Sequence, residues 1–167
     1  MTPWVTRFVV ANIIVFFLTA TMPGLTDVLA YRPALTAARP WTPFTYMFVH
    51  AGVGHILFNM LSLYFFGPML EARLGSRHFV GLYVTSGLAG ALLSLVGSWF
   101  GTFPAMAPIV GASGSVYGVM VAFARFWPGA LQLMVSLRHD PQPGPELHAY
   151  RIEGDTVHTE GLRVVPD

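Results

Sequence analysis

Four polar side chains stand inside otherwise apolar stretches: His55 and Asn59 in one, Ser113 and Tyr117 in another. Each pair is spaced i, i+4, which puts both members on one helical face, a turn apart. Polar groups are expensive in hydrocarbon and mark hydrated functional sites where they occur there. A hydroxyl, an imidazole and an amide are parts that acyl transfer can use: a nucleophile, and donors to the oxyanion its attack creates. On this reading Ser113 is the candidate nucleophile, and His55 and Asn59 the candidate oxyanion donors.

Each pair also has a plainer reading. Gly114-x-x-x-Gly118 is the small-xxx-small pattern by which membrane helices approach closely, and a serine beside it can serve packing alone. The run is not the soluble hydrolase elbow G-x-S-x-G, because its fifth position is Ser115 and no strand precedes it. A lone histidine in a helix is ordinarily a satisfied buried imidazole. No metal or cofactor is expected: His50 and His55 are five apart, off one face, with no acidic ligand close. Glu71-Ala-Arg73-Leu-Gly75-Ser76 reads first as a helix end, with Gly75 closing it and charges emerging into water.

The elements that must hold these residues follow from composition. The chain is 54% hydrophobic and 10% charged, with a mean hydropathy of +0.58. Soluble domains carry about 25% charged residues, so this is the composition of a membrane protein. A span needs about 20 mainly apolar residues. Four stretches qualify, at residues 5–22, 44–70, 79–100 and 109–126, predicting an all-α polytopic bundle over residues 1–128. The second is longer than a straight span requires, so its beginning is expected to be interfacial. Trp4 is placed as an interfacial anchor and Pro23 ends the first span. A cleavable leader is the rival reading of that first stretch, but no small-residue cleavage site follows it.

All nine basic residues are arginine. Arg7, Arg73, Arg77 and Arg125 flank one side of the bundle and Arg32 and Arg39 the other, which predicts an inside N-terminus. The expectation is a multi-pass protein of a bacterial cytoplasmic membrane. Basic residues are scattered rather than striped, which argues against nucleic acid as a partner. No cysteine is present, so disulfides and thiolate metal sites are excluded. After Trp127 the pattern changes. Residues 129–167 form a polar tail, with a hairpin expected around Gly154-Asp155.

Taken together and in order, three motifs resemble the rhomboid family of intramembrane serine proteases. They are Phe48-x-His50-x-x-x-x-His55-x-x-x-Asn59-Met60, Glu71-x-Arg73-x-Gly75-Ser76, and Gly111-x-Ser113-Gly114-x-x-Tyr117-Gly118, within a match over roughly residues 5–127. The resemblance implies a rhomboid-like helical bundle, with Ser113 attacking the scissile carbonyl of a transmembrane protein substrate in the lipid bilayer. It implies that His55, Asn59 and the Ser113 N–H hold the oxyanion, and that Tyr117 orients the catalytic histidine. Glu71 and Arg73 would brace the loop leaving the second span, and the aromatic loop before Trp41 would lie half immersed in the bilayer.

One expected part has no counterpart. The family's base is a histidine in a later span, set among small residues. After Ser113 this sequence has only His139, His148 and His158, none of them in an apolar run. His78 follows Arg77, at the wrong end for the site. A serine hydroxyl is a weak nucleophile without an adjacent base. The composition change near Trp127 reads as a truncation, frame change or fusion. Three functions stay open: a protease whose base comes from a complementing subunit or self-association, a pseudoprotease that binds transmembrane helices, and an inactive fragment.

Overall fold

The computed structural model describes residues 1–128, 148–153 and 156–161. In chain order the long helices are α1 (Pro3–Thr21), α4 (Val53–Leu74), α5 (Ser76–Trp99) and α6 (Ser113–Phe126). Between α1 and α4 come two short helices, α2 (Leu25–Leu29) and α3 (Thr42–Thr45), with 3-10 turns at Pro33–Leu35 and Tyr46–Phe48. Strands β1 (His148–Glu153) and β2 (Thr156–Gly161) pair antiparallel, His148 opposite Gly161 and Glu153 opposite Thr156. The turn expected around Gly154-Asp155 lies outside the described residues. The chain divides into two compact units, residues 1–122 and 123–167.

Among the described residues three helices, α1, α4 and α5, are long and apolar enough to cross a membrane. At 1.5 Å per residue they measure roughly 28, 33 and 36 Å, against a hydrocarbon core of about 30 Å. The fourth expected span departs from its prediction: α6 begins at Ser113, not near residue 109, and has 14 residues. The reason lies just before it. Ile109 is held extended by a two-way backbone bridge to Tyr31, its N–H donating at 2.7 Å and its carbonyl accepting at 3.0 Å. Gly111 follows with φ +122°, which no helix accommodates.

The second expected span, 44–70, also shifts. Its first residues form the short turns over 42–48, as an interfacial start implies, and α4 itself starts at Val53. It then runs on to Leu74, because the carboxylate of Glu71 finds buried partners instead of ending the helix. Gly75, at φ +78°, closes it as expected.

Small residues set the packing. Gly67 of α4 lets Val5 of α1 approach so closely that an added Cβ would lie 2.7 Å from its methyl group. Phe8 and Tyr83 stack with centroids 4.0 Å apart, joining α1 to α5. Gly87 of α5 receives the Met47 thioether, whose sulfur accepts from Ser115 Oγ at 3.2 Å. The Tyr46 hydroxyl donates to the Gly87 carbonyl at 2.6 Å. Gly118 of α6 sits on Ser86 with no room for a methyl group, and Gly114 faces the same turn of α5. The small-xxx-small reading is therefore correct for one face of α6. It leaves the other face for Ser113 and Tyr117.

Two glycines of the same helix separate packing from propensity. Gly87→Ala forces Met47 and Ser115 to move and is expected to destabilise by about 1–3 kcal/mol. Gly81→Ala meets nothing within 4 Å and is expected to be neutral or stabilising by up to about 1 kcal/mol. Unfolding of each variant in detergent measures both.

Candidate functional site

The site is built where α4 and α6 begin. Val49 leaves the preceding turn in extended backbone, a bend follows at Ala51 and Gly52, and the first turn of α4 presents His55. Asn59, one turn on, is buried and donates its amide back to the His55 carbonyl at 2.9 Å. That bond uses one amide hydrogen and fixes the side chain, leaving the second hydrogen free to donate. From the other side the Gly111 N–H donates to the Tyr46 carbonyl at 2.9 Å, which ties the entry of α6 to the turn before α4.

Gly111 is the meeting point. A Cβ at this position would lie 2.6 Å from both Cε1 and Nε2 of His55 and 3.7 Å from Ser113 Oγ. The imidazole edge and the serine oxygen thus share the space that a side chain would take. Val116 is the first residue of α6 whose N–H reaches a carbonyl, that of Ala112 at 2.9 Å. The amides of Ser113, Gly114 and Ser115 precede the helical ladder, at the end of the helix that favours negative charge. Ser113 is solvent-accessible whereas Ser115 is fully buried, so only one of the two serines in the motif can act.

The four polar residues found by spacing come together. His55, Asn59, Ser113 and Tyr117 line one open cleft of about 340 Å³, with Phe58 and Met120 among its apolar walls. Tyr117 is 69% exposed on the rim, one turn below Ser113. Among the described residues no hydrogen bond joins Ser113 Oγ to an imidazole. His78, whose Nδ1 lies 3.2 Å from the Leu74 carbonyl, sits at the far end of α4, roughly 30 Å from His55. His139 lies outside the described residues, as do the side chains of His148 and His158. The described residues contain no cluster that could hold a metal ion.

Sequence reasoning set His50 aside as a metal ligand and gave it no place beside His55. Its ring meets that of His55 edge to face, centroids 5.0 Å apart, and both its nitrogens are buried without a close hydrogen-bond partner among the described residues. Burial first, and then the neighbouring His55, push its pKa down to about 4, so it is neutral at physiological pH. A five-residue spacing hides this contact from helical periodicity, because the helix begins between the two histidines.

Glu71 and Arg73 lie away from the cleft, Glu71 about 24 Å from His55 along α4. Trp4 N–H is 3.2 Å from both Glu71 carboxylate oxygens, and Val5 N–H donates to Oε2 at 3.1 Å. Ser76 Oγ donates to Oε1 at 2.7 Å. The carboxylate therefore caps α1 from another helix and clips the α4–α5 turn. Arg73 is exposed in the last turn of α4, where the helix dipole favours a cation.

The family profile of the Rhomboid domain matches residues 37–141, which includes every residue of the cleft. The chain belongs to the rhomboid family. Rhomboid protein 1, mitochondrial, of Saccharomyces cerevisiae is 37% identical over 100 residues, 58% of this chain and 27% of that one. Putative rhomboid protease YdcA of Bacillus subtilis is 32% identical over 121 residues, 69% of this chain and 58% of that one. Rhomboid protease GlpG of Salmonella choleraesuis is 37% identical over 82 residues, 48% of this chain and 26% of that one. The chain thus spans between about a quarter and somewhat over half of these rhomboid relatives. Family membership and three helices able to cross a membrane make it an integral membrane protein.

Replacing Glu71 by Gln keeps the shape but removes the charge that the α1 amides address. Hydrogen bonds to a charged group contribute about 1.5–3 kcal/mol, and a loss of that size is expected. Thermal unfolding in detergent, compared with Arg77→Gln as an exposed control, measures it.

Proposed function

We propose that this chain carries the nucleophile and oxyanion half of an intramembrane serine endopeptidase site. The observation that carries the reading is the convergence at Gly111 of an accessible Ser113 hydroxyl, the His55 imidazole and the unpaired amides opening α6. Ser113 Oγ attacks the scissile carbonyl of a transmembrane substrate. The oxyanion is met by the Ser113 N–H, the free Asn59 amide hydrogen and His55 donating from Nε2. Losing one such donor typically costs about 10²–10³ in rate. The protease names of YdcA and GlpG support the same reaction class.

The proton of Ser113 needs an acceptor. The rim on the Tyr117 side is open, and an imidazole brought there by a complementing subunit or a second copy completes the dyad. Tyr117 then stacks on that ring and orients it. Positive charge on the Arg7, Arg73, Arg77 and Arg125 side favours an inside N-terminus, with the cleft facing the opposite leaflet of a bacterial cytoplasmic membrane.

Among the described residues no imidazole bonds to Ser113 Oγ, which favours a second reading, a pseudoprotease that holds transmembrane helices in the cleft without cutting them. A fluorophosphonate probe on the vesicle-reconstituted chain separates the two. The endopeptidase reading expects labelling that Ser113→Ala abolishes and Ser115→Ala leaves intact. Folded, inserted protein that takes no label contradicts it, and crosslinking of a substrate helix unchanged by Ser113→Ala then establishes the binding role.

A further inference from the structure

The loop between α5 and α6 has the chemistry of a membrane-inserted element rather than of a solvated turn. Trp99 is 73% exposed, Phe100 78%, Phe103 51% and Met106 60%. No Asp, Glu, Lys or Arg occurs anywhere between Arg77 and Arg125. The facing loop, by contrast, carries Asp27, Arg32 and Arg39, with Arg32 paired to Asp27 at 2.6 Å. Exposed apolar patches of this density on a short loop mark a contact surface.

The backbone fits the same environment. Gly101 N–H donates to the Ser98 carbonyl at 3.3 Å, and Thr102 uses both its N–H and its hydroxyl on the Gly97 carbonyl at 2.9 Å. Ala107 N–H donates to Pro104 at 3.1 Å, while Pro104 and Pro108 have no N–H to satisfy. The Phe103 ring folds back over Gly97, and Ala105 accepts from the Ala34 N–H at 3.0 Å, anchoring the segment to the facing loop. Few donors are left to seek water. Those few, on Phe103, Ala105 and Met106, fit the zone where lipid ester carbonyls and some water are present, and not the hydrocarbon centre, where every backbone group must be satisfied internally.

We infer that residues 99–106 are a wedge seated at the headgroup–acyl boundary, with bilayer lipid as their partner. Aromatic side chains favour this zone. Helix α5, at roughly 36 Å, exceeds the hydrocarbon core by about 6 Å and delivers Trp99 and Phe100 to it. The chain then passes through the Tyr31–Ile109 bridge to Gly111, so the seating depth of the wedge fixes how far beneath the surface α6 begins. The inference stands whether or not Ser113 is a nucleophile.

The absence of native cysteine makes single labels unambiguous. Phe100→Cys, Phe103→Cys and Met106→Cys are each labelled with a nitroxide in the full chain, in vesicles of phosphatidylethanolamine and phosphatidylglycerol. Leu92→Cys, exposed midway along α5, serves as the hydrocarbon reference. The wedge predicts stronger relaxation by oxygen than by a water-soluble nickel chelate at all three sites, by a smaller margin than at Leu92. Nickel winning at any of them overturns the inference by placing the loop in water. Exclusion of both relaxers with dipolar broadening also overturns it, because a second copy of the chain then covers the patch. Trp99→Cys replaces any variant whose unfolding in detergent departs from the parent.

Discussion

The space beside Gly111 that a Cβ would fill is occupied by the edge of the His55 imidazole, 2.6 Å from where the carbon would sit. Only a residue without a side chain, at a φ of +122°, lets the entry of α6 run this close to the start of α4. The geometry of the cleft follows from that contact. It stations His55 against the path to Ser113, and the Gly111 N–H bond to Tyr46 holds the path in place. It also ends the extended segment from Ile109, so that α6 starts at Ser113 with its first amides unspent. A serine hydroxyl, an imidazole and a helix N-terminus come together because one side chain is absent.

The remaining contacts keep α4 and α6 at that spacing. Helix α5 packs on α6 and on the turn before α4 as a small-residue spine, with Gly87 holding Met47 and the Tyr46 hydroxyl, and Ser86 meeting Gly118. Helix packing without a hydrophobic driving force depends on such close approach. At the opposite end of α4, the buried Glu71 carboxylate takes the first amides of α1 and the Ser76 hydroxyl. The chemistry and the clasp lie at opposite ends of one helix. A change at Glu71 therefore reaches the cleft only through the position of α4.

Much of this was legible in the sequence, for reasons that can be named. The i, i+4 pairs His55–Asn59 and Ser113–Tyr117 read correctly because both lie within regular helix, where periodicity maps directly onto a face. The glycine spacing of α6 was ambiguous between packing and chemistry; packing takes one face, and Ser113 and Tyr117 line the cleft from another. The start of α6 was misread, since hydropathy sees Ile109 and Val110 as span and cannot see a backbone bridge to Tyr31 some 78 positions earlier. Tyr31, in the aromatic loop before Trp41, is a core residue, 1% exposed and packed on Tyr46, which no pattern in the sequence marked. Trp41, its companion in that loop, is 47% exposed, as an interfacial side chain should be. His50 escaped because its contact crosses a helix boundary, where no fixed spacing applies.

The central claim is that the His55 ring and the Gly111 backbone are in contact, and a distance tests it without relying on activity. The chain is labelled with ¹⁵N in histidine rings and ¹³C at glycine Cα, reconstituted in lipid vesicles, and examined by solid-state NMR dipolar recoupling. The account predicts a ring-nitrogen coupling to one glycine Cα at roughly 4 Å, one C–C bond beyond the 2.6 Å contact. That coupling should vanish in His55→Gln and persist in His50→Gln. No such coupling in the folded protein would contradict the account, because Ser113 and His55 would then belong to separate surfaces.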